Sequence, residues 1–294
     1  MKQAYPDISL AKICLLFGKS RQAWYNRVKY KQELLNNEVF ILDLIKRERS
    51  VLPHLGGHKL FYRLQNEIKD QGIKIGRDNF FKILQKHNLL VKHRKRYIST
   101  TNSRHYFKTW DNLIQDIKPT MPEQIWVSDI TYLKTKEGFV FLNLITDAYS
   151  RKIMGFALSQ TLKAKGTIRA LEMAINNRTY DHKLIHHSDR GIQYCSYSYI
   201  KILLNNNISI SMTQNGSPYD NAIAERVNGI LKRELNLSKT FNNYHQTIEP
   251  VVKAVHVYNR YRPHLSIDRL TPEEAHKKSG DLKKHWKKRS YSLV

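Results

Sequence analysis

The 294-residue sequence predicts an α/β protein, a mixed β-sheet core flanked by helices, behind an all-helical N-terminal region. Three observations carry that prediction. Up to Trp110 apolar residues recur at helical spacing between short turns; from Glu123 the pattern alternates as strands do; beyond Lys163 helix-like and strand-like segments take turns.

Leu10–Phe17 reads as an apolar helical run ended by Gly18, and Ser20 caps a second run through Trp24, Tyr25 and Val28. Together they form a compact helix-turn-helix pattern. A separate helix is expected from Asn37 to Glu48, carrying Val39, Ile41, Leu42 and Ile45. After Pro53 and Gly56-Gly57 come helices over His58–Lys69 and Arg77–Leu89, with Gln71-Gly72 as the turn. That pair, with Arg77, Lys82 and Lys86 on its second helix, suits either a helix laid in the major groove of DNA or a hairpin used for packing. The run Val91-Lys-His-Arg-Lys-Arg96 reads better as a linker touching phosphate through Arg94, Lys95 and Arg96 than as a solvated face.

In the middle of the chain Ile125–Leu133 alternates, Phe139–Thr146 follows the Glu137-Gly138 turn, and Lys152–Leu158 makes a third strand. An antiparallel meander follows. Lys163–Asn176 is helical, with Ile168, Leu171 and Ile175 on one face; then come strand Leu184–His187, helix Ser196–Asn206, strand Ile208–Met212 and helix Asn221–Leu235. The order βββαβαβα is that of a mixed sheet covered by helices. A last helix spans Tyr244–Tyr261 and stops before Arg262-Pro263, and a basic tail begins at Lys277.

Charge gives the first indication of function. Fifty Lys and Arg against 25 Asp and Glu leave +25, and neutralising phosphates with dispersed cations is how proteins hold nucleic acid. The charge is uneven: +15 over residues 1–110, +1 over 111–225 and +9 over 226–294. A nearly neutral middle between basic flanks suits an acidic site held between DNA-gripping arms. A membrane partner is not expected, because no amphipathic basic helix, lipidation signal or long apolar run occurs. Cys14 and Cys195 are too few for a disulfide framework or a paired zinc motif, so a reducing, cytoplasmic setting beside the chromosome is expected.

Three carboxylates stand out. Asp129 lies within the first strand, Asp189 follows the fourth, and Glu225 sits in a later helix. First and fourth strands are expected to be neighbours, which brings the two aspartates to adjacent positions with Glu225 reaching them from its helix. Clustered carboxylates repel unless cations neutralise them. Magnesium, which takes hard oxygen ligands and is completed by phosphate oxygens, answers that need, and two such ions serve an in-line phosphoryl displacement. Each acid alone also has a structural reading, Asp189 as a turn residue and Asp129 as an inward charge on an edge strand.

The surrounding residues bear on that choice. Trp126-Val-Ser-Asp129-Ile-Thr131, His187-Ser-Asp189-Arg-Gly191-Ile-Gln193-Tyr194 and Gly216-Ser-Pro-Tyr-Asp220-Asn221-Ala222-Ile-Ala-Glu225 resemble the three motifs of the DDE transposases and retroviral integrases. Between Asp189 and Glu225 lie 35 residues, the interval of the bacterial insertion-sequence branch with a two-frame transposase gene. Tyr258-Asn-Arg-Tyr-Arg262-Pro263-His264 is similar to the segment that closes the integrase core, and the N-terminal helical pairs to the accessory region before it.

The resemblance implies a ribonuclease H-like core whose catalytic and metal-binding residues are Asp129, Asp189 and Glu225. It implies magnesium or manganese as cofactor and double-stranded DNA, element ends and target, as substrate. Strand cleavage at the element ends would be followed by attack of the freed 3′ hydroxyl on another phosphodiester. Assembly of several copies on DNA is expected, and so is an upstream-frame product as partner, because the sustained heptads such products carry are missing here. Lys232, two helical turns beyond Glu225, matches a basic position of the family and is expected to hold DNA; a solvated lysine is the plainer reading. Arg262 is expected to touch phosphate.

Asn221, one turn before Glu225, is expected to orient it, and His187 to pack or hydrogen-bond beside Asp189. A zinc site at His186 and His187 lacks partners at ligand spacing, and Ser188 lacks a nucleophile elbow. The expected division is a helical region with a helix-turn-helix pattern at 1–52, a second helix-turn-helix-like region and basic linker at 53–110, the catalytic core at 111–240, and a C-terminal helix and tail at 241–294. A nuclease without strand transfer, or an inactive element-derived DNA-binding regulator, are the rival functions.

Overall fold

The computed structural model describes residues 7–91, 108–115, 117–214 and 221–285. The basic run at Arg94, Lys95 and Arg96, and residues 215–220 of the third motif, lie outside these. The chain divides into two units, one taking in residues up to 92 except 52–54, the other Leu52–His54 and everything from His93 on.

The first unit is helical: α1 (Leu10–Leu16), α2 (Arg21–Val51), α3 (Gly57–Asp70) and α4 (Arg77–Lys86). Ser9 caps α1 by accepting from the Lys12 N–H, and Gly18, at φ +62°, supplies the left-handed residue that ends it. The two helices expected between Ser20 and Glu48 are one helix of 31 residues. Neither Gly nor Pro interrupts this stretch, and Gln22–Asn26 and Gln32–Asn36 side-chain bonds (3.0 and 3.1 Å) support its exposed face one turn at a time. Burial on α2 falls at Ile41, Leu44 and Ile45; before them Tyr25, Tyr30, Leu34 and Val39 stand exposed. Leu60, Leu64 and Ile68 of α3 and Phe80 and Leu84 of α4 are buried at the i, i+4 spacing of an inward helix face.

The second unit holds a five-stranded sheet in the order β3-β2-β1-β4-β5, built from β1 (Ile125–Thr135), β2 (Gly138–Asp147), β3 (Ile153–Ser159), β4 (Leu184–Ser188) and β5 (Ile208–Met212). β1, β2 and β3 are the expected antiparallel meander, and β4 pairs parallel with both β1 and β5. This is the ribonuclease H-like arrangement. Helices α5 (Lys165–Asn176), α6 (Tyr197–Asn205), α7 (Ala222–Arg233), α8 (His245–Arg260) and the short α9 (Pro272–Ala275) complete the unit. α9 was not expected, although Thr271-Pro-Glu-Glu274 announces it: Thr271 and Glu274 close a capping box around a Pro at the helix start.

Alternation along β1 sorts the sheet into two faces. Trp126 points into the larger core with Leu171 and Ala174 of α5 and Tyr199 and Leu203 of α6. Ile125 and Val127 point the other way, against Ala224 of α7. α5 sits close to the sheet because β3 offers Gly155 there: a Cβ at that position would stand 2.1 Å from the Ala170 carbonyl oxygen. Side chains added at Gly155 would lift α5 off the sheet.

Candidate active site

Asp129 continues the row Ile125, Val127 and so faces α7. On β4 the row Ile185, His187 leads in the same way to Asp189. The parallel ladder pairs Ile125 with Ile185 and Val127 with His187, and the same offset sets Asp129 level with Asp189 just past the last bonded pair. Two like charges are thereby held side by side where the sheet hydrogen bonds run out. The chain then turns sharply: the Gly191 N–H donates to Asp189 Oδ1 (3.0 Å), and the Tyr194 and Cys195 N–H groups to the Gly191 carbonyl (2.9 and 3.3 Å).

Two donors hold the half-buried Asp129 carboxylate. Oδ1 accepts from the Ile130 N–H (2.9 Å) and Oδ2 from Asn228 Nδ2 on α7 (2.7 Å). They do not offset the surroundings. Burial and then the charge of Asp189 push the Asp129 carboxyl up, Asn228 and Ile130 pull it back, Glu225 adds a further push, and the balance lies at about 7.

Helix α7 presents Glu225, Asn228 and Lys232 at i, i+3 and i+7, one side of the helix. Lys232 is half-buried; burial lowers its ammonium, while Asp129 acts to raise it. Glu225 is exposed, and its charge reaches Asp129. Among the described residues no three His, Cys, Asp or Glu side chains converge as closely as an ion would need. The structure therefore joins Asp129 and Asp189 and leaves Glu225 standing off on its helix.

Two expectations need correction. Arg262 is not free for phosphate: it is buried, its Nε and Nη2 gripping the Glu234 carboxylate at 2.8 Å each, which fixes the end of α8 to the end of α7. A guanidinium committed to a bidentate internal pair serves the fold. Asn221 does not orient Glu225 through its side chain; Nδ2 donates instead to the Ser128 carbonyl (2.9 Å), clamping α7 to the strand beside Asp129. Only the helical backbone bond, Glu225 N–H to Asn221 carbonyl (3.1 Å), links those two residues.

His187 is buried on the row below Asp189 and bonds Ser211 Oγ (2.8 Å), while His186 bonds the Tyr199 hydroxyl (2.9 Å). In the helical unit Arg77 pairs with Asp78 (2.8 Å) and Lys86 with Glu38 (2.6 Å).

Sequence reasoning missed Asn228, among the described residues the one side chain that binds an Asp129 oxygen directly. Its signal was present: an amide three residues after Glu225, on the side of the helix that also carries Lys232. It also missed Ser128 and Tyr194, whose hydroxyls lie 3.1 Å apart beneath Asp129 and tie β1 to the segment after Asp189.

Comparisons with known proteins show the family. An integrase core domain model matches residues 119–218, and a second integrase core domain model matches 206–272. A 31 kDa protein of insertion element IS600 from Shigella sonnei is 34% identical over 269 residues, spanning 88% of this chain and 96% of that protein. The transposase InsF of insertion sequence IS3A from Escherichia coli K12 is 29% identical over 278 residues, 93% of this chain and 96% of the relative. A solved HTLV-2 integrase catalytic core domain in complex with magnesium is 21% identical, covering 54% of this chain and 99% of its own, with a TM-score of 0.43. These matches define the class of the polynucleotidyl transferases. The chain belongs to the insertion-sequence transposases of the integrase catalytic core family, and its function is DNA transposition and integration.

Proposed function

We propose that Asp129, Asp189 and Glu225 are the catalytic carboxylates of this transposase and hold magnesium or manganese while DNA strands are cut and joined. The observation that carries this reading is the Asp129–Asp189 pair, two carboxylates that the β1–β4 register sets level with each other and whose nearness pushes the Asp129 carboxyl up. The donor set fits a hard divalent cation: all oxygens, all anionic. When bound, paired cations activate the attacking oxygen and stabilise the leaving one.

The chain's own residues do the rest. Asn228 fixes the Asp129 carboxylate by its Oδ2, leaving Oδ1 turned to the Ile130 N–H and the cation side. Gly191 shapes the turn that presents Asp189. Asn221 holds α7 against Ser128, so Glu225, which stands off from the aspartates here, would complete the set around a cation from a fixed helix. Lys232, drawn toward Asp129, is placed to hold the DNA backbone beside the scissile bond. Double-stranded element ends and target are the substrates, and several copies assemble on them beside the chromosome.

The test is a strand-transfer assay with labelled element ends and an unlabelled target duplex. Joined product is expected with magnesium or manganese and none with chelator. Cleavage without joining under every condition would favour a nuclease of the same fold, and binding without cleavage a regulator.

A further inference from the structure

Helix α7 carries a second cationic side that the carboxylates do not use. Arg226 and Arg233 are seven residues apart, two turns of helix, and leave α7 about 100° round from the side bearing Glu225 and Lys232. Both are exposed. Gly229 lies between them, and the Arg233 side chain folds back over it: Nε donates to the Gly229 carbonyl (3.2 Å), and a Cβ on Gly229 would stand 2.6 Å from Arg233 Nη2. This carries the Arg233 guanidinium back along the helix toward Arg226, within range of its charge.

Countercharge is short at this place. The carboxylate in reach of Arg226, Glu234, is gripped by both nitrogens of Arg262. Behind it lies the buried ring of Tyr258, whose hydroxyl has no hydrogen-bond partner among the described residues and is surrounded by Arg262, Arg151, Arg226 and that one Glu234. Arg151 is turned onto the Ala148 carbonyl, and its nearest acid, Asp147, is already committed to Ser150. The Arg226 side chain makes no hydrogen bond among the described residues. Cations crowded in this way, over a buried hydroxyl and beside a spent carboxylate, call for an external anion, and paired guanidinium forks are suited to phosphate.

We propose that Arg226 and Arg233 form a binding site for a non-reacting backbone phosphate of the substrate DNA, on the flank of α7 away from the carboxylates. It rests on the reading of the chain as a DNA-joining enzyme, and not on which carboxylates do the chemistry. Such a contact sets the direction in which the duplex leaves the site, because phosphate contacts fix register and orientation.

The test is equilibrium binding of the full chain to a short blunt duplex of arbitrary sequence, in chelator, over a range of sodium chloride concentrations. Each phosphate contact contributes about 0.9 to the slope of log affinity on log salt, so with one phosphate held by both guanidinium groups the double variant Arg226→Gln, Arg233→Gln is expected to reduce it by about 1, and each single variant by part of that. Arg226→Lys keeps the charge and is expected to keep the slope. Gly229→Ala displaces the Arg233 guanidinium while favouring the helix, so its expected loss of slope does not come from lost folding. Arg260→Gln serves as control, because exposed Arg260 already pairs with Glu273 (2.9 Å). An unchanged slope in the double variant, with unfolding like the parent's, overturns the site. Chelator keeps this result independent of the carboxylate assignment, whereas a parent chain that binds no duplex overturns the DNA-joining reading as well.

Discussion

Glu123 and Asp129 are six residues apart on one strand and its approach, yet their carboxylates live in opposite surroundings. Glu123 is fully buried and fully served: it accepts from the Thr179 N–H and hydroxyl (3.1 Å each), the Tyr180 N–H (3.0 Å) and His276 Nε2 (3.0 Å). Its neighbour Asp147 accepts from the Glu123 N–H (2.6 Å) and from the Ser150 N–H and hydroxyl (2.7 and 2.6 Å). Burial would push Glu123 up, but His276 and the backbone donors of Tyr180 and Thr179 outweigh it and hold the carboxyl below its usual range. Asp129 sets Asn228 and Ile130 against burial and Asp189, and it ends at about 7. The contrast separates an acid whose balancing donors the fold supplies from one set beside a like charge, and it is the second kind that the proposed function takes for the site.

The contrast can be broken or sharpened in four ways, beginning with the largest effect. Glu123→Ala leaves His276 and the Thr179 and Tyr180 donors without their acceptor and is expected to destabilise the protein by about 3–5 kcal/mol in urea unfolding. A loss below about 1 kcal/mol would remove the distinction drawn between the two acids.

Next comes pH. In chelator, Asp129 holds a proton in the folded chain that the unfolded chain releases above its usual 3.8. Its contribution is therefore complete below that value and is lost as pH rises toward 7, by at most about 4 kcal/mol before solvent screening. Glu123 has the opposite sign: its folded value is lowered, so its contribution is present above the usual range of a glutamate and lost as pH falls through the folded value. Stability profiles of Asp129→Asn and Glu123→Gln should thus deviate from the parent in opposite directions. Parallel profiles would contradict the comparison.

Asn228→Ala should lower magnesium affinity about 10–100-fold, read by titration calorimetry, while leaving the fold intact. Smallest of all, Asp129→Asn should stabilise the metal-free protein by about 1 kcal/mol in a thermal scan, because it relieves a like-charge contact, and should abolish joining.

Much of this was legible in the sequence. The order of strands, the meander and the neighbouring first and fourth strands follow from alternation and turn residues, and that topology alone sets Asp129 level with Asp189. What was not legible depends on partners distant in sequence. Arg262 and Glu234 are 28 residues apart, and nothing local shows that the arginine is spent inside the fold. Asn221 sits at the right spacing from Glu225, but its amide finds Ser128, 93 residues earlier. Glu123 gave no signal, because the partner that balances it, His276, comes from α9 at the far end of the chain. The unbroken α2 was hidden for a different reason: its apolar residues before Ile41 are exposed, so their spacing carries no inward face to follow.

The most direct test concerns the aspartate whose place is fixed by register alone. Asp189→Asn keeps size and shape, and is expected to bind duplex DNA and unfold like the parent while yielding no more joined product in magnesium than the parent does in chelator. Joining by Asp189→Asn at the parent's level in magnesium would contradict the account, because the pair of acids just past the β1–β4 ladder would then not be where strands are transferred.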